Sequence, residues 1–160
     1  MRRHLVVFAR APRLGALKRR LAADIGHLGA LAFYRRNTSR LLSDVICPDR
    51  WTTWISATPD REMDHPLFRF PGARVMPQGR GDLGQRMARP FHQLPPGPVV
   101  LIGSDIPELG RPQVEAAFDA LGQQDAVFGP APDGGYWLVG LKRGGLLMSL
   151  VNSREGPSQR

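Results

Sequence analysis

Short apolar runs alternate with amphipathic stretches along the whole chain, and that alternation constrains the fold more than any other feature. Residues 4–9, 51–57, 73–76, 98–103, 125–129 and 136–141 read as strands, with 98–103 the clearest. Between them, residues 16–25, 28–46, 83–94 and 112–122 read as helices. The first ends at Gly26, and the last carries Pro112 in its first turn, where a missing N–H costs nothing. The helix over 28–46 puts Leu31, Tyr34, Leu41, Leu42, Val45 and Ile46 on one stripe, with Arg35, Arg36 and Arg40 outside it. Residues 58–72 hold three prolines and many charges, and read as loop or at most a short helix. This order predicts an α/β fold of three layers, a mostly parallel sheet with helices on both faces. In such sheets ligand loops gather at the C-terminal ends of the strands, so chemistry is expected at that edge.

The 160 residues suit one domain, read as 1–151 followed by a polar, frayed tail over 152–160. Cys47 stands alone, so no internal disulfide forms and a reducing compartment is the simple expectation. The apolar run Leu5 to Ala9 is shorter than the roughly 7–15 residues of an export signal, and no run is long enough to cross a bilayer. A cytoplasmic protein with no membrane partner is expected. Lys and Arg number 22 against 14 Asp and Glu. The first forty residues hold ten of those cations and a single acid, Asp24, so the whole excess lies in the first quarter of the chain. A local basic cluster fits a phosphate-bearing small molecule. A nucleic-acid reader usually spreads its charge along a face and adds stacking aromatics or a known module; no such module is found, so no nucleic-acid partner is expected. The histidines at 4, 27, 65 and 92 lie too far apart for a local zinc motif, and there is no G-x-S-x-G elbow.

Four loops fall at the expected edge. The first follows the opening strand, and in it Arg10, Arg13 and Lys18 are placed to clamp a diphosphate around a tight turn at Gly15. The alternative is a solvated basic turn. The second, Gln78 to Arg86, contains G-x-G-x-x-G at Gly79, Gly81 and Gly84. A dinucleotide fingerprint is disfavoured because the motif lies mid-chain, Pro107 closely follows the acid Asp105 that ends the next strand, and too little chain remains for two mononucleotide halves. Asp82 is counted on the nucleotide side of the site, with a D-x-x-Q capping box to Gln85 as the other reading. The third loop starts Gly103-Ser104-Asp105-Ile106-Pro107. Pro107 keeps the chain extended, so Asp105 stands at the sheet rim, where one carboxylate oxygen could meet a hard divalent cation; a simple Asx turn is the alternative. The fourth, Gly129 to Trp137, carries Asp133-Gly134-Gly135, also a hairpin signal, and its Tyr136 and Trp137 read as core.

Taken in order, these stretches resemble a known family. They are Val7-Phe8-Ala9-Arg10-Ala11-Pro12 with Gly15, Lys18, Arg20 and Leu21; Gly81-Asp82-Leu83-Gly84-Gln85-Arg86-Met87; Ile102-Gly103-Ser104-Asp105-Ile106-Pro107 with Leu109; and Gly129-Pro130-Ala131 with Asp133-Gly134-Gly135-Tyr136-Trp137-Leu138-Val139-Gly140-Leu141. The chain is similar, from about residue 5 to about residue 150, to nucleotide-diphospho-sugar transferases of the glycosyltransferase-A fold, including the arsenosugar-biosynthesis type. The resemblance implies a sugar-nucleotide donor, a small-molecule hydroxyl acceptor, and Mg2+ or Mn2+ at Asp105. It also implies that Asp133 orients the sugar or acceptor, or acts as base. A more distant likeness, through Arg13-Leu14-Gly15 and Lys18, is to phospholactate and molybdopterin guanylyltransferases, but Ala9-Arg10 replaces their Gly pair. That leaves two rivals: a nucleotidyltransferase using a nucleoside triphosphate on the same site, and a nucleotide-binding remnant without turnover. The family continues beyond this point with a W-S-T stretch and further acids, so a C-terminally truncated chain is expected.

Overall fold

The computed structural model describes the backbone of residues 1–12, 19–132 and 134–143, and their side chains except those of 19–25 and 27. The elements are β1 (His4–Arg10), α1 (Arg19–Val45), β2 (Thr52–Thr58), β3 (Ala73–Pro77), α2 (Leu83–Gln93), β4 (Val99–Gly103), α3 (Arg111–Leu121), β5 (Ala126–Pro130) and β6 (Tyr136–Leu141). Two single 3-10 turns, Asp60–Glu62 and Pro66–Phe68, occupy the proline-rich stretch after β2. α1 is broken at Gly26, whose φ of 79° and ψ of 164° no helix accommodates. The two expected helices therefore lie on either side of one kink.

The sheet has the order β3-β2-β1-β4-β6-β5. β1 pairs in parallel with β2 and with β4, and β2 in parallel with β3. β6 runs antiparallel to both β4 and β5. The expected mostly parallel, three-layer α/β architecture is the one observed. β1 shows why an unbroken apolar run was needed there. Leu5, Val7 and Ala9 enter a core shared with Leu41, Leu42 and Val45 of α1 and Val114 and Phe118 of α3. Val6 enters the core on the other face, with Phe91 of α2 and Leu101 of β4. A strand covered on both faces has no solvent side to make polar. Each such aliphatic side chain contributes about 1.5–3 kcal/mol by leaving water. Trp51 stacks on Phe118 with ring centroids 5.3 Å apart, and its indole N–H donates to the Val45 carbonyl at 2.8 Å.

On α1 the inner face holds Tyr34, Leu41, Leu42 and Val45, with Leu31 and Ile46 half-buried. Asn37 and Thr38 are buried on the same face, two polar residues absent from the apolar stripe read in the sequence. From β1 the chain steps outward through β2 to β3, and α2 then returns it to β4 on the other side of β1. The strand order therefore reverses between β1 and β4. Doubly wound sheets open a crevice at the C-terminal ends of such a pair.

Candidate functional site

A cavity of about 570 Å³ lies at that reversal. Phe8, Ala9 and Arg10 of β1 and Gly103, Ser104 and Asp105 after β4 line it. Leu83, Arg86 and Met87 of α2 form another wall, and Tyr136 to Val139 of β6 a third. β6 reaches this edge by its N-terminal end because it runs against β4, with Leu138 opposite Ile102.

The end of β1 is fixed from α1. The Tyr34 hydroxyl accepts from the Arg10 N–H at 2.8 Å and donates to the Arg10 carbonyl at 2.7 Å. Burial pushes the Tyr34 phenol up from its ordinary pKa, against the pull of the hydrogen bond to Arg10 and of the Ser104 and Thr38 hydroxyls. The phenol therefore keeps its proton and its donor role at neutral pH. The Arg10 side chain is exposed at the cavity.

The loop after β4 is fixed from the same helix. Asn37 Nδ2 donates to the Ser104 carbonyl at 2.9 Å. Arg40 Nη2 donates to the carbonyls of Pro107 and Leu109 at 2.8 and 3.1 Å, and to Asn37 Oδ1 at 3.3 Å. Asp44 Oδ2 accepts from the Arg111 N–H at 2.6 Å, giving the first turn of α3 the acceptor that Gly110 lacks. Asp105 is exposed at the cavity rim. A Cβ on Gly103 would come within 3.3 Å of Asp105 Oδ1, so the carboxylate folds back over the strand end.

The loop before α2 is held largely by its own residues. Asp82 Oδ1 accepts from the Gln85 N–H at 2.8 Å, and Gln85 Oε1 accepts from the Asp82 N–H at 2.9 Å. This is the reciprocal cap that the D-x-x-Q spacing allowed. Gly81, at φ 110°, makes room for it, since a Cβ there would lie 2.3 Å from Gln85 Oε1. Gln78 is 4% exposed. Its Nε2 donates to the Ser56 carbonyl at 3.0 Å and its Oε1 accepts from Arg86 Nη1 at 2.7 Å.

Of the residues read from sequence, Arg10 and Asp105 are brought to one cavity. Asp82 is exposed, lies outside the cavity lining and uses its carboxylate to cap α2. Arg13, Gly15, Lys18, Asp133 and the tail over 152–160 lie outside the described residues. Trp137 packs against the main core as expected, while the expectation that Tyr136 is core needs correction. Trp137 is half-buried and covers Gly129, where a Cβ would lie 2.6 Å from its ring. Tyr136 is 56% exposed at the cavity rim. A register shift at Gly129 and Pro130 sets Tyr136 opposite Pro130 at the hairpin end, where its ring meets the exposed Phe128 at 5.2 Å rather than a helix. Sequence reasoning also missed Tyr34, Asn37, Arg40, Gln78 and Arg86 as site residues. Gln78 and Arg86 bounded a loop read at the expected edge without being given a role, and Asn37 left a signal as a polar residue in helical phase with Tyr34 and Leu41.

One carboxylate at the rim could supply an oxygen to a hard divalent cation but not a full set of ligands. Among the described residues no group of three or more His, Cys, Asp or Glu could hold an ion by itself. No helix among them is long and apolar enough to cross a membrane.

The chain is similar to a protein from Desulfovibrio desulfuricans G20 provisionally named a nucleotide-diphospho-sugar transferase, at 28% identity and a TM-score of 0.75 over 89% of this chain. It spans 64% of the length of that protein. At 10% identity it shares its fold with 4-diphosphocytidyl-2C-methyl-D-erythritol synthase from Anaerococcus prevotii DSM 20548, with a TM-score of 0.65 over 99% of this chain and 78% of the other. The same fold recurs in CMP:2-keto-3-deoxy-manno-octonic acid synthetase complexed with CTP, at 10% identity and a TM-score of 0.52, over 99% and 80% of the two chains. No curated protein matches the chain. The fold is nucleotide-diphospho-sugar-transferase-like, and with a family model matching residues 41–152 the chain belongs to the family described as an uncharacterized protein conserved in bacteria (DUF2064).

Proposed function

We propose that this chain binds a nucleotide-diphospho-sugar in the cavity above β1 and β4 and transfers the sugar to the hydroxyl of a small acceptor. The observation that carries the reading is the cavity at the reversal of strand order, with Arg10 and Arg86 in its lining and Asp105 at its rim. Likeness to the Desulfovibrio protein supports it. Arg10, with Arg13 and Lys18 of the same loop, neutralises the diphosphate, and Asp133 orients the sugar or acceptor or acts as base. Asp105 would hold Mg2+ or Mn2+ against the phosphates, where the ion stabilises charge on the departing nucleoside diphosphate. An anion beside a phosphate repels it unless a cation lies between, which gives the test its sign.

Calorimetric titration of UDP- and GDP-sugars, in Mn2+ and in EDTA, compares the parent with Asp105→Asn. The expected result is metal-dependent binding by the parent and a roughly tenfold or greater loss in the variant, the size of a charged contact. Metal-independent binding by the parent, with equal or tighter binding by the variant, would make Asp105 a turn residue and remove it from the site.

The second reading is nucleotidyl transfer at the same cavity, favoured by the fold shared with the diphosphocytidyl and CMP-sugar synthases. Release of pyrophosphate from a nucleoside triphosphate separates it from sugar transfer.

A further inference from the structure

We infer that Arg86 is the anion-binding residue of the cavity wall formed by α2, that its ligand is a phosphate of the bound nucleotide, and that Gln78 positions it. The inference rests on the reading that the cavity takes a nucleotide. Other arginines of the fold are engaged elsewhere. Arg40 and Arg89 donate to backbone carbonyls, as does Arg143 to Gly97, Phe91, Leu94 and Pro95, while Arg50 pairs with Glu115 at 2.8 Å. Arg86 differs. It is half-buried and lines the cavity. Its Nη1 donates to a neutral amide oxygen, its Nε is enclosed without a partner, and no carboxylate pairs with it among the described residues.

A guanidinium drawn out of water without an anion is unfavourable unless something compensates for its charge. The cavity beside it is where that anion can enter. Gln78 sets the direction. Its Nε2 faces the Ser56 carbonyl, so only its Oε1 is left for Arg86, and the buried amide cannot turn over without setting donor against donor. The cation is thus held in place but not neutralised. A glutamate at 78 would cancel its charge, but its second oxygen would then face the Ser56 carbonyl, acceptor against acceptor. Phosphate fits better than a single carboxylate because Arg10 lines the same cavity, and a diphosphate carries charge for more than one cation.

The test titrates UDP, GDP and CDP, each against its own nucleoside, together with inorganic pyrophosphate, all in Mg2+. The parent is expected to prefer a diphosphate over its nucleoside. Arg86→Gln and Gln78→Glu should each lose tenfold or more in diphosphate affinity while nucleoside affinity stays level, and Arg86→Lys should retain part of the preference. A merely structural role would instead lower diphosphate and nucleoside affinity together, and that result, or an unchanged diphosphate affinity, overturns the inference. Where Arg86→Gln does not fold, Arg86→Lys carries the test: a weakened preference for the diphosphate supports the inference and an unchanged one overturns it. A parent that binds pyrophosphate but no nucleotide sinks the nucleotide reading, and loss of pyrophosphate in Arg86→Gln then still supports the anion site. A parent that binds neither overturns both.

Discussion

Two loops border the cavity and are held in different proportions by local and remote bonds. The loop before α2 is secured mainly from within, by Asp82 and Gln85 three residues apart and by Arg89 of the same helix, which donates to the Gln78 and Arg80 carbonyls; only its first two residues reach outside, Gln78 to the Ser56 carbonyl and the Gly79 N–H to Asp60 Oδ1. The loop after β4, which carries Asp105, is secured from a distant helix, with Asn37, Arg40 and Asp44 reaching residues 67 to 69 positions away. A local cap has both partners within one turn of its helix and needs no other element to bring them together. A remote tether exists only once α1 has packed on the sheet, so it ties the geometry of the site to the intact core.

The sharpest way to break this contrast is Asn37→Leu. The change leaves the buried Ser104 carbonyl without its donor and Arg40 without one acceptor. Unmet buried polar groups cost about 1–3 kcal/mol each, so a loss of about 2–3 kcal/mol is expected in urea unfolding. The same variant should weaken metal-dependent nucleotide binding, since Asp105 then rides on a looser loop. A loss below about 0.5 kcal/mol, within the range of ordinary surface substitutions, would mean the remote tether is ornamental.

The local side answers with a smaller effect. Asp82→Ala removes one half of the cap at the α2 N-terminus, and such changes cost typically about 1 kcal/mol. Nucleotide affinity should change little, because Asp82 lies outside the cavity lining. If Asp82→Ala proved more destabilising than Asn37→Leu, the ranking of remote over local would be reversed. A selective loss of nucleotide affinity with stability intact would return Asp82 to the site.

The same contrast explains what could be read from the sequence. Strand and helix order was legible because apolar phase is a local property, and the D-x-x-Q cap because both partners lie within one turn. The positions of Arg10 and Asp105 followed from the rule that loops collect at strand C-terminal ends. Asn37, Arg40 and Asp44 were illegible as tethers, because nothing near them in sequence names a carbonyl on another element. Tyr34 was read as apolar stripe, which its ring is, while its hydroxyl serves the Arg10 backbone. Gln78 looked like a turn residue beside a Gly-rich run, and only the sheet brings the Ser56 carbonyl and Arg86 to it at once. Tyr136 was misplaced because strand alternation fixes which face a residue takes but not where helix cover ends.

A third polar contact, at the far edge of the sheet, sharpens the comparison by its dependence on pH. His4 is 2% exposed at the start of β1. The Trp54 indole N–H donates to its Nδ1 at 3.2 Å, which leaves Nε2 to carry the proton toward the Pro96 carbonyl at 3.3 Å. These partners lie 50 and 92 residues away, so this is again a remote tether. Burial lowers the His4 pKa from 6.5; the Pro96 carbonyl opposes the shift, and the Arg143 and Arg2 charges add to it. The folded chain therefore takes up this proton less readily than the unfolded chain. The stability conferred by neutral His4 is complete above about pH 6.5 and falls as the pH drops from there toward the lowered folded value. Protonating Nδ1 also sets a donor against the Trp54 N–H. His4→Gln removes the titrating group, so its unfolding free energy should vary less between pH 7 and pH 5 than that of the parent. The difference in slope is the measurement, because carboxylates that begin to titrate near pH 5 contribute to both proteins alike. Equal slopes would show that His4 is protonated in the folded chain without cost and that the Trp54 contact is not a tether.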